Sequence, residues 1–98
     1  IMLFTYQEDE FSLTSELSNE LSHLYPDHTI IVAREKSGEM KCSVRGKNPP
    51  VLSALTPALV GIDGYGGGHE VACGLVVKVQ DWDRFLDRFE EELDKRRQ

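Results

Sequence analysis

Apolar and polar positions recur along this chain with two periods, near 2 and near 3.6, and each period marks a kind of element. Ile1 to Tyr6 alternates weakly and is rich in β-prone residues, which predicts a strand. A polar connection, Gln7 to Glu10, leads to Ser12, a helix-cap candidate. Leu13, Leu17, Leu21 and Leu24 then follow at helical spacing. Tyr25-Pro26 closes that helix, Ser12–Leu24, because the residue before a proline avoids the α region. His23 falls in its last turn, where a partial positive charge is favourable, and is read as ordinary helix chemistry.

Thr29 to Ala33 is a continuous β-branched run, as in a central strand. Ser37-Gly38 is a turn signal, so a hairpin is expected, with Met40 to Gly46 as its second arm. Met40, Cys42 and Val44 should share one face, and Lys41, Ser43 and Arg45 the other. Lys47-Asn48-Pro49-Pro50 breaks the strand. Val51, Leu55, Leu59 and Ile62 give a second helix, which Pro57 should kink or split. Val71 to Val79 is the strongest strand, and Asp81 is the next cap candidate. Trp82, Phe85, Leu86, Phe89 and Leu93 make the apolar stripe of a last helix, with Trp82 in the core.

The predicted order is β-α-β-β-α-β-α, a single small α/β (α+β) domain. Its mixed sheet of about four or five strands is flanked by helices, with one hairpin and a parallel crossover through the first helix. Strand order stays open, a ferredoxin-like order being one option. With 98 residues and 40% apolar content there is material for one core and not for two. No apolar run approaches the roughly 18 residues of a membrane span. The start at Ile1, inside an apolar run and without an initiator Met, points to a fragment of something longer.

Charge and cysteines narrow the chemistry. The net charge of −6 argues against a free-standing nucleic-acid clamp. Residues 1–28 carry six acids and no Lys or Arg, whereas residues 34–47 carry a local +3. That basic segment is either a solvated hairpin edge or a phosphate contact. Cys42 and Cys73 fit no paired metal spacing and read as buried reduced thiols in a cytoplasmic setting; a zinc site with His28 or His69 has little behind it.

One stretch resists the pattern. Gly64-Tyr65-Gly66-Gly67-Gly68-His69-Glu70 holds four of the eight glycines in five positions. Such backbone can approach a ligand closely, and successive N–H groups can form a concave nest for phosphate oxygens, with His69 at the exit. It follows a helix and precedes a strand, the reverse of a dinucleotide fingerprint or P-loop. A plain turn with an incidental histidine is the simpler reading. Ser43 and Arg45, at i and i+2 on one polar face, would make a phosphate grip or simply a wet strand face.

Gly66-Gly67-Gly68-His69-x-x-Ala72-Cys73-Gly74, with Ser43-x-Arg45 on an earlier strand, resembles the DHH-associated C-terminal domain of RecJ-like phosphoesterases of the DHH superfamily. The likeness runs from about Thr29 to the end. It implies a substrate-binding domain that closes over a catalytic DHH domain lying N-terminal in the same chain, where manganese or magnesium is held. Carried over, Ser43, Arg45, Gly66, Gly67, Gly68 and His69 would bind phosphates of single-stranded nucleic acid, an oligonucleotide or a nucleotide. Cys73 stands where the family usually has an alanine, and Gly46 where it often has alanine or a small hydroxyl. Asp27-His28 is not the catalytic motif, since the metal site needs several carboxylates from separate strands, and this chain alone should not be catalytic. Two alternatives stand beside this one: a non-catalytic nucleic-acid-binding module like the related domain of alanyl-tRNA synthetases, and a regulatory or dimerisation domain with a structural glycine loop.

Overall fold

A computed structural model describes residues 1–7 and 14–97. The order is β1 (Met2–Gln7), α1 (Thr14–Leu24), β2 (Ile30–Lys36), β3 (Glu39–Arg45), α2 (Val51–Ala58), β4 (Gly64–His69), β5 (Ala72–Lys78), a 3-10 turn at Val79–Asp81, and α3 (Trp82–Arg96). All the expected elements occur in the expected order, and the glycine run adds a fifth strand. The proposed cap Ser12 and the first stripe residue Leu13 lie outside the described residues.

The sheet order is β1-β2-β3-β5-β4. β1 and β2 pair in parallel around the α1 crossover, and the remaining pairs are antiparallel. Because β1 and β2 are immediate neighbours, the order is not the split βαβ of a ferredoxin-like sheet. Ser37 (φ 54°) and Gly38 (φ 78°) turn the β2–β3 hairpin, and two central residues at positive φ match the twist of its arms.

The core lies on one face of the sheet. Ile31, Ala33, Met40, Cys42, Val44 and Leu75 meet α2 and α3 there. Phe85, Phe89 and Leu93 of α3 are fully buried, with the two phenylalanine rings stacked at 5.6 Å. Trp82 is only partly buried; it stacks on Phe85 at 5.8 Å and closes the rim of the core rather than its centre. Pro57 neither kinks nor splits α2. Lacking an N–H, it cannot bond to the Ser53 carbonyl one turn back, and the helix stops one residue later, at Ala58.

α1 covers the opposite face over β2 and β3. Its inward side is centred on Ser18, which is fully buried, while Leu24 is 64% exposed, so the leucine stripe overstates the buried face. A small residue lets the helix lie close to the sheet. Among the described residues α1 packs mainly on β2 and β3, and farther along this side Gly74 of β5 is exposed.

Candidate phosphate-binding end of the sheet

Strand register decides which of the sequence-predicted residues meet. Arg45 pairs with Ala72, and Ala72 pairs with His69, so the three form one row across β3, β5 and β4. Ser43 pairs with Gly74, and Gly74 with Gly67, in the next row on the same face. Two segments far apart in sequence thus deliver Arg45 and His69 to one polar face, about 10 Å apart at two strand spacings. Between them the floor is Ala72, Gly74 and Gly67, which bring almost no side chain.

The glycine run departs from the expected loop. It is an edge strand paired along its whole length with β5, so its N–H groups do not converge in a nest. Contact with an anion from β4 would come from single N–H groups and from His69, which is exposed. Gly66 and Gly68 sit in rows with Leu75 and Cys73 and turn toward the core side. A Cβ at Gly66 would lie 2.5 Å from the Leu75 Cβ, and one at Gly68, where φ is +147°, 2.6 Å from the Ala72 carbonyl oxygen. Glycine is therefore needed at both for the fold. Gly67 is different: among the described residues, a Cβ there would meet nothing within 4 Å.

Arg45 is tied down. Its Nε donates to Asn19 Oδ1 at 2.8 Å, and one terminal nitrogen donates to the carbonyl oxygens of Val44 (2.9 Å) and Cys73 (3.3 Å). Partial burial lowers its pKa, with Cys73 acting in the opposite sense, and an arginine remains charged through such a change. The Cys73 thiol donates to the His69 carbonyl oxygen at 3.2 Å. Burial raises its pKa, with Arg45 opposing, so it is a protonated structural thiol. Cys42, pushed up to about 12 by burial, is inert in the same way. Ser43 is only 8% exposed, which makes it more sheltered than a wet strand face implies. Gly46 has a packing reason to be glycine, since a Cβ would come 2.8 Å from Val51 Cγ1.

Beside Arg45 a cleft of about 400 Å³ opens between α1 and the end of the sheet. Asn19, Ser22, His23 and Pro26 form its helical wall, and Arg45, Lys47 and Val71 the sheet wall. Sequence reasoning missed Asn19 and Ser22, marked Lys47 only as part of the basic segment 34–47, and dismissed His23. The available signal was the i, i+3, i+4 spacing of Asn19, Ser22 and His23, a polar strip on an otherwise leucine-marked helix. Among the described residues no three His, Cys, Asp or Glu gather where a metal could be held. His28 lies against Tyr25, ring centroids 6.0 Å apart, and among the described residues no cysteine ligand set includes it. No helix among them is long and apolar enough to cross a membrane.

Fold and site together define a class: a small α/β domain whose polar, cationic sheet end faces outward beside one helix. Residues 5–95 match the DHHA1 domain, and the chain belongs to that family. Three solved structures share the fold. The C-Ala domain of Aquifex aeolicus alanyl-tRNA synthetase superposes with a TM-score of 0.76 at 14% identity, covering 94% of this chain and 88% of that one. RecJ from Thermus thermophilus, solved with Mg²⁺, gives 0.74 at 15% identity, over 96% of this chain and 14% of RecJ. The pGpG-specific phosphodiesterase PggH from Vibrio cholerae gives 0.58 at 15% identity, over 95% and 32%. The chain therefore spans a small part of the RecJ and PggH chains and nearly all of C-Ala. Comparison with curated protein sequences gave no match.

Proposed function

We propose that this chain is the substrate-binding domain of a DHH phosphoesterase, a RecJ-like exonuclease or oligonucleotide phosphodiesterase, acting in the cytoplasm. Ser43, Arg45, His69 and the backbone of Gly66, Gly67 and Gly68 hold the phosphates of a single strand, an oligonucleotide or a nucleotide. The observation that carries this reading is the row Arg45–Ala72–His69, which sets two phosphate-seeking side chains on either side of a bare floor. To take two phosphate oxygens at once, which a lysine cannot copy, Arg45 exchanges its bond to Asn19 for the phosphate. Gly67 lets the strand lie against the sheet. The contribution to catalysis is orientation and charge neutralisation. The described residues offer no donor set that fits a metal. On this reading manganese or magnesium belongs to an N-terminal DHH domain of a larger protein, as the family resemblance implies, and no chemical step is placed on these residues.

A second reading, a nucleic-acid-binding module without hydrolysis, is supported by the likeness to the alanyl-tRNA synthetase C-Ala domain. A double-mutant cycle in the larger protein separates the two. Arg45→Lys and His69→Ala should each cost roughly 1.5–3 kcal/mol in kcat/KM, the range for hydrogen bonds to charged groups. If both touch one phosphate, the losses should fall short of additive. Unchanged activity in Arg45→Lys, or fully additive losses, would count against a shared phosphate. A parent that hydrolyses nothing, yet loses nucleic-acid affinity in Arg45→Lys, would favour the second reading.

A further inference from the structure

The cleft between α1 and the sheet end shares Arg45 and Ala72 with the phosphate row, but the row makes no use of its helical wall. We propose that it is a pocket for one nucleoside monophosphate unit, so that the domain recognises the end of a strand, or a very short ligand, rather than its middle. This rests on the phosphate-binding reading above and adds a wall which that reading leaves idle.

Four observations converge. The volume, about 400 Å³, lies low in the range of about 300–1,000 Å³ for small-molecule sites, which suits one nucleotide and not several. Arg45 and Lys47 both line it, and among the described residues lining it there is no carboxylate, in a chain of net charge −6. The wall from α1 presents an amide, a hydroxyl and an imidazole, Asn19, Ser22 and His23, the groups that read the donors and acceptors of a base or ribose. Pro26 and Val71 supply an apolar surface, and Val71 is 44% exposed at the mouth, where a flat base would cover it. Arg45 stands at the border. Bonded to Asn19 on the cleft side and to the Cys73 carbonyl on the sheet side, it can hold a phosphate that leads from the pocket into the Gly74–Gly67 floor.

The test is NMR titration of the 98-residue chain with AMP, adenosine, inorganic phosphate and a hexathymidylate. AMP should move the amides of residues 19–23 and 45–47 together and bind at least tenfold more tightly than adenosine or phosphate alone. His23→Ala and Lys47→Ala should each weaken AMP about five- to tenfold with the thermal midpoint unchanged. Ser22→Trp, which fills the cleft, should abolish AMP binding; if it unfolds the chain, the alanine variants decide. Suppose instead that the hexanucleotide moves Arg45 and Gly67 to His69, while α1 stays silent and His23→Ala and Lys47→Ala bind normally. The pocket is then overturned and the phosphate-binding function stands. If no probe binds, both fall.

Discussion

At the scale of single residues, three neighbouring glycines have different duties. Gly66 and Gly68 are fixed by packing against β5, whereas no described neighbour requires glycine at Gly67. Gly66→Ala should destabilise the domain by about 1–3 kcal/mol, because a methyl group must be forced against Leu75 and the Gly74 carbonyl. Gly67→Ala should change stability by no more than about 0.5 kcal/mol, yet weaken oligonucleotide binding by raising the floor. Urea unfolding and a binding titration on the two variants check both halves. A stable Gly66→Ala, or a Gly67→Ala that binds normally, would contradict the division. The same scale explains Cys73. Its carbonyl accepts Arg45 and its thiol reaches the His69 carbonyl, so a residue that reads as an inert core cysteine links the two ends of the row.

At the scale of elements, α3 carries the core. Phe89 is fully buried and stacked on Phe85, so Phe89→Ala should cost about 3–5 kcal/mol. A small domain has about 5–15 kcal/mol in total, so the variant should sit near its unfolding midpoint in mild denaturant. Trp82→Ala, at the rim, should cost less; equal losses would mean that the rim is as well packed as the centre. The apolar stripe of α3 and the alternation of β3 were legible in the sequence because burial there follows periodicity. The glycine strand was not. Its residues have low β-propensity, and its pairing is imposed by the open edge of β5, a tertiary effect that no local pattern carries. The site divided along the same line. Ser43-x-Arg45 and the glycine–histidine run were visible as motifs, and register explains why they meet. The α1 wall was invisible, because only docking of the helix on the sheet turns Asn19, Ser22 and His23 toward Arg45.

For the molecule as a whole, charge bears on the proposed mode of binding. A chain of pI about 4.9 cannot act as a broad electrostatic clamp, and the cations of the candidate site are gathered at one end of the sheet. Binding of a short single strand should therefore fall with salt at a slope of only about −1.4 in log K against log salt, as for two neutralised phosphates. A slope near −5, read by fluorescence titration from low to moderate salt, would mean a long charged track and would overturn the end-binding geometry. The same 98 residues incubated with manganese and labelled oligonucleotide should show no turnover; robust metal-dependent cleavage would place chemistry on this chain.

The sheet order has a consequence in time. β5 is inserted between β3 and β4, although both of those precede it in the chain. During synthesis the glycine strand leaves the ribosome before the neighbour it pairs with in the finished sheet. A waiting strand rich in valine or isoleucine would be a hazard, ready to pair with any other exposed edge. Apart from the exposed Tyr65 ring, Gly64 to His69 offers little apolar surface, and its four glycines have little tendency to extend by themselves, so it is a weak template until Ala72 to Lys78 arrives. Arg45, Ala72 and His69 come into line only at that moment, and a nascent chain stopped short of β5 lacks the aligned row proposed to hold phosphate.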